Sequence, residues 1–240
     1  MSCSTGADVL EPDPTTRTTA TVSGAPGNEP GPHTLQILMT EHWSLLASRS
    51  LVYTESMSRT SIFVAALTGS VVALALVGQA TDFGDGFVAF ALVLLPVVYF
   101  LGVVTVARLG QINWEDAIWV QGMNRIRHAY LEIAPELEPY FVTSKYDDDL
   151  GVIQSSIAMR GWPGRSQGFI AAPGVVAVMD SVVAGAIAAI AAIGLGAGTV
   201  LALVVGAALF VASLLMFFAW GRRMIAKGRE RFEPLYPTPS

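Results

Sequence analysis

One acid lies inside an apolar stretch of this 240-residue sequence: Asp180, in the run 174–195. A carboxylate at such depth is costly in hydrocarbon and calls for a partner or a water-filled cavity. Two kinds of chemistry suit it. It can relay a proton or a cation near a vestibule, or it can be an ion-paired acid that orients the helices around it. The ion pair is the plainer reading. Arg222 and Arg223 are its nearest cations by topology, and Arg108 and Arg59 have side chains long enough to reach inward.

The other residue types with chemical potential do not assemble into a motif. His42 and His128, with Glu41 and Glu132 nearby, come singly on different segments, without the paired spacing that zinc favours. They read as solvated or core histidines, and no metal site is expected. Asp147-Asp148-Asp149 before Gly151 lacks the alternating acids and terminal Glu of a calcium loop, so it reads as an exposed acidic turn. No nucleophile stands at a recognisable spacing from a base. The chain is therefore expected to be no enzyme and to need no cofactor. The single cysteine, Cys3, rules out an internal disulfide or a multi-cysteine metal site. No basic surface interleaved with aromatics points to nucleic acid.

The elements that position these residues are set by composition. The chain is 52% hydrophobic and 14% charged, against about 25% charged in soluble domains. Four apolar runs, 61–80, 87–107, 174–195 and 199–220, are each long enough to cross a hydrocarbon core of about 30 Å. The sequence predicts an all-α membrane protein with four transmembrane helices arranged as two antiparallel hairpins. The loops at 80–86 and 194–198 contain no Lys or Arg, and all 14 cations lie in the alternate pieces. Loops rich in Lys and Arg stay in the cytoplasm, so both termini are expected there and the protein is expected in the cell membrane. The first thirty residues lack the pattern of a signal peptide, and the first span is expected to act as its own insertion signal.

The soluble pieces follow from local composition. Residues 1–32 are rich in Thr, Ser, Gly and Pro and are expected to be a disordered tail. Residues 33–60 place Leu35, Leu38, Met39, His42, Leu45, Leu46, Val52 and Tyr53 mostly on one helical stripe. This predicts a cytoplasmic amphipathic helix, lying on the membrane or continuing the first span as one rod. Pro96, in mid-span, is expected to bend the second helix; a plain kink is favoured over a functional hinge. Residues 108–173 are expected to form a cytoplasmic helical segment. There Asn113 would cap a new helix starting at Trp114, Pro135 and Pro139 would stop it, and a turn would form at Gly161-Trp162-Pro163-Gly164. Residues 221–240 form a basic cytoplasmic tail that extends the fourth helix until Pro234, Pro237 and Pro239 end it. Two helix-plus-hairpin units in one orientation hint at duplication, without a residue-level repeat.

Ala177, Ser181, Gly185 and Ala189 recur every fourth residue along the third span. Small residues at that spacing let membrane helices approach closely, so this face is expected to pack helices within or between subunits. The stretches Glu41-His42-Trp43-Ser44-Leu45-Leu46, Asn124 to Tyr130 and Pro139-Tyr140-Phe141 resemble a group of uncharacterised four-span membrane proteins of GC-rich Gram-positive bacteria. That resemblance implies no activity or site. The expected function is a non-enzymatic, self-associating interaction, scaffold or sensory protein. Its partners are the lipid bilayer, further copies of itself and a cytoplasmic protein. The alternative is an oligomeric ion channel or small-solute transporter with Asp180 near its cytoplasmic mouth.

Overall fold

A computed structural model describes residues 31–156, 172–229 and 233–239. Among these residues every element is helical. The expected disordered tail up to residue 30, Cys3 and the turn at 161–164 lie outside the described residues. Helix α1 spans Pro32–Ala80 and α2 spans Asp85–Ile133; a 3-10 turn follows at Pro135–Tyr140, then α3 at Asp149–Ser155, α4 at Ala172–Gly194 and α5 at Thr199–Arg229. The helices α1, α2, α4 and α5 are long and apolar enough to cross a membrane. The chain is a multi-pass membrane protein by that measure.

Helices α1 and α2 are each 49 residues long, far beyond the 20 or so that a bilayer needs. Helix α1 opens on Pro32, which is suited to the first turn because its missing N–H has no helical partner there. From that point it runs through the boundary at residue 60 without interruption. Its turn into α2 places Asp82 at φ 48° and Phe83 at φ 55°, a region that Gly, Asn and Asp tolerate but that is costly for a bulky side chain such as Phe83. Packing offsets that cost. The Phe83 ring lies over Gly78, where an added Cβ would meet ring carbon Cε1 at 2.5 Å, and it meets Phe87 edge-on at 5.3 Å.

The cap expected at Asn113 does not form, because α2 continues through it. The reason is a buried seam that crosses the supposed boundary: Val98, Gly102, Val106, Leu109 and Ile112 all face the interior. Asn offers the backbone a local alternative to the helix, but here the burial of Leu109 and Ile112 on either side of Gly110 prevails. Pro96 lies within this continuous helix on an exposed face. Further along the same helix the buried Thr105 donates to the Leu101 carbonyl at 2.7 Å.

Helix α2 packs against α1 on one side and α4 on the other, and α4 packs along α5. At the α4–α5 crossing, Gly185 and Gly206 leave no room for a side chain: a Cβ on either would meet the carbonyl oxygen of the other at 2.9 Å. Ala177, Ser181 and Gly185 are buried there, and Ala189 touches Gly206. Within one chain, the small residues at 185 and 206 let α4 and α5 approach this closely.

At the polar end of the bundle, ion pairs fasten α1 to α2. Arg49 binds Asp116 at 2.7 Å. Arg108 bridges Glu55 at 3.0 Å and Glu115 at 2.9 Å, and Arg59 also holds Glu55 at 2.7 Å. The Arg108 guanidinium, with Arg59 behind it, holds the Glu55 carboxyl down to about 2 from an ordinary 4.5. The sign follows from linkage. A carboxylate depressed by folding contributes stability that is fully present above pH 4.5 and is lost as pH falls toward 2. The variant Glu55→Gln is expected to be less stable than wild type at neutral pH, with the gap closing between pH 4.5 and 2. Thermal unfolding in detergent across that range measures it; a constant gap would show that the pair does not drive the difference.

Candidate functional site

Two sites emerge from this frame, one inside the apolar bundle and one at its polar end. The first is built around Asp180. Its side chain is fully buried at 0% exposure, and neither carboxyl oxygen has a hydrogen-bond partner among the described residues. The carboxyl occupies the notch left by Gly102 of α2: a Cβ there would collide with Oδ1 and Cγ of Asp180. Arg222 and Arg223 do not reach it. Both are exposed on α5, so the expected ion pair is absent. Arg108 and Arg59 are engaged with Glu55. The physical reason is direction, since Asp180 faces α2 while the two arginines lie past the apolar part of α5.

Hydroxyl groups stand beside this acid. Ser181 is fully buried, donates to the Ala177 carbonyl at 2.7 Å, and lies 3.3 Å from the Ser213 hydroxyl on α5. Tyr99, one turn before Gly102 on α2, has its hydroxyl 3.5 Å from Ser213. Three helices therefore contribute oxygen atoms at one level of an otherwise apolar core formed by Phe63, Leu95, Val98, Val176 and Val183. Asp180 was legible from the sequence, whereas Gly102, Tyr99 and Ser213 were not. Their only trace is a glycine, a tyrosine and a serine inside apolar runs.

The second site is built around Asp147, also 0% exposed. The expected exposed acidic turn is instead a buried anchor. Arg125 donates Nε to Asp147 Oδ2 at 2.6 Å. The backbone N–H groups of Leu235 and Tyr236 donate to the same carboxylate at 2.9 and 2.7 Å. Asp147 N–H returns a bond to the Tyr236 carbonyl at 3.1 Å. Asp148 caps α3 by accepting from Gly151 N–H at 2.8 Å, and it also accepts from the Thr238 amide and hydroxyl.

Helix α2 supplies the floor of this second site. Gln121 donates to the Asp147 carbonyl, Asn124 donates to the Tyr146 carbonyl at 2.7 Å, and Arg125 reaches the Glu233 carbonyl. His128 stacks on Tyr236 at 3.8 Å. His42 lies on α1, 6.2 Å from the Tyr130 ring, and burial with the Arg127 charge nearby holds it below its ordinary value. No group of three metal-ligating side chains occurs among the described residues. Compared with models of protein families, with curated proteins and with solved structures, the chain matches none at a significant level.

Two outcomes follow. Gly102→Ala is expected to cost about 1–3 kcal/mol by overpacking, and combining it with Asp180→Ala should recover part of that loss. Thermal unfolding of both singles and the double gives the coupling, and strict additivity would show that the two residues do not touch. Asp147→Ala is expected to cost about 2 kcal/mol, because two backbone donors and Arg125 lose their acceptor. Limited proteolysis after Tyr236 should then become fast while the apolar helices stay protected; an unchanged cleavage rate would rule out Asp147 as the anchor.

Proposed function

We propose that this chain is a non-enzymatic interaction protein of the cell membrane that self-associates through the polar half of α1. In this reading α1 with α2, and α4 with α5, form antiparallel hairpins, and the polar end with both termini faces the cytoplasm. The cation distribution of the sequence supports that orientation. Membership among four-span proteins of GC-rich Gram-positive bacteria belongs to the same proposal.

The observation that carries it is the outer face of α1. Leu38, His42, Leu45, Val52 and Ser56 are at least partly buried, Leu45 packing with Val120 and Met123 of α2. The stripe next to them, Met39, Trp43, Leu46, Ser50, Tyr53 and Met57, is exposed, with Trp43 at 66% and Tyr53 at 67%. These residues alternate at spacings of four and three, the repeat of a coiled-coil seam. Isolated exposed apolar residues are ordinary, but a row of this length on a rigid rod marks an interaction surface.

A second copy is the occupant that fits. Two copies inserted in the same orientation bring their α1 helices together in parallel, so that a two-fold axis sets like positions face to face. A groove of about 540 Å³ beside the stripe, lined by Leu46, Ser50 and Tyr53 of α1 and by Ile112 and Asp116 of α2, gives room for the larger side chains.

Disulfide trapping tests the proposal. In a Cys3→Ser background, Tyr53→Cys on the stripe is expected to form an intermolecular disulfide in membranes, and Thr54→Cys beside it is expected to form much less. Leu46→Glu should reduce trapping by tenfold or more, since like charges would then face each other. Equal trapping at both positions, or no effect of Leu46→Glu, would sink it.

A further inference from the structure

We propose that Asp180 is a proton-binding site within the membrane-spanning bundle, whose ionisation is coupled to the seating of α4 on α2. This goes beyond self-association and rests on separate residues. The carboxyl is fully buried, both of its oxygens lack a partner among the described residues, and it fills the space that a Cβ on Gly102 would need. A bare carboxylate in such surroundings carries a desolvation cost that nothing on α2 offsets, whereas a neutral acid of the same shape carries a far smaller one. The tight packing at Gly102 leaves no room for a hydrated cation, but a proton needs none. The seated arrangement is therefore the one that matches the proton-bound form.

Loss of the proton breaks the acid O–H bond, leaves the electron pair on the carboxylate and passes the proton to solvent water. The resulting charge needs donors. On its own helix the adjacent hydroxyl is Ser181, which connects to Ser213 and Tyr99. Tyr99 is the titratable group at this level of α2; toward the polar end stand Arg108 on α2 and Glu55 and Arg59 on α1, already paired with one another. Helix α5 brings no titratable side chain between Thr199 and Trp220. In the proposed coupling, turning the carboxylate toward those hydroxyls takes it out of the Gly102 notch and loosens the seating of α4 on α2.

Infrared titration of the full chain in nanodiscs, with amide hydrogen exchange on the same samples, tests this. A carboxylic-acid carbonyl band is expected to disappear as pH rises. Amides of α4 around residue 180 should then exchange at least tenfold faster. Asp180→Asn should lack the band and show no pH-linked step in α4 exchange. If that variant does not fold, the displaced band of Asp180→Glu makes the assignment. The proposal is overturned if no band depends on residue 180, if the band is constant wherever the protein stays folded, or if the band titrates without a change in α4.

Discussion

The continuous burial of one face of α2 is the constraint on which the rest of the architecture leans. Leu95, Val98, Gly102, Val106, Leu109 and Ile112 form a seam that passes from the apolar bundle into the polar end without a break. In hydrocarbon every backbone polar group has to be satisfied within the helix. Outside it, side-chain packing is what keeps a helix going. Because the seam supplies packing on both sides of that boundary, α2 remains one rod and contacts every other element. The ion pairs to α1, the notch for Asp180 and the floor of the Asp147 site all take their positions from it.

Much of this frame could be read from the residues. The length of the apolar runs gave four spans, and Pro135 and Gly198 fell where helices end or begin. What misled was local chemistry. Asn113 with acids behind it has the form of a cap, yet nothing in six residues of sequence reveals that Leu109 and Ile112 will find partners across α2. Leu38 and Met39 are both apolar, so the sequence of α1 shows a single stripe; only the position of α2 separates the buried row from the exposed one.

The sites were legible in the same uneven way. Asp180 announces itself, because charge in an apolar run is rare. Its surroundings do not, since glycine at 102 and serine at 213 are common residues in membrane helices. Asp147 was hidden for the opposite reason. Three consecutive acids suggest solvent, and the segment that buries the first of them, Leu235 to Thr238, lies almost ninety residues further along the chain. Long-range backbone-to-carboxylate bonds leave no periodic signature in either segment.

The docking of residues 233–239 onto Asp147 and Asp148 also sets an order of assembly. That segment follows α1, α2, α4 and α5 in the chain, so the polar layer cannot close until α5 has been threaded into place. Before then, Asp147 and Arg125 are available to each other alone, and the His128 ring has no Tyr236 to stack on. The finished layer is thus a physical record that the last helix arrived. A chain halted after α4 would carry the same α2 and α3 but an open anchor, chemically distinct from the completed protein.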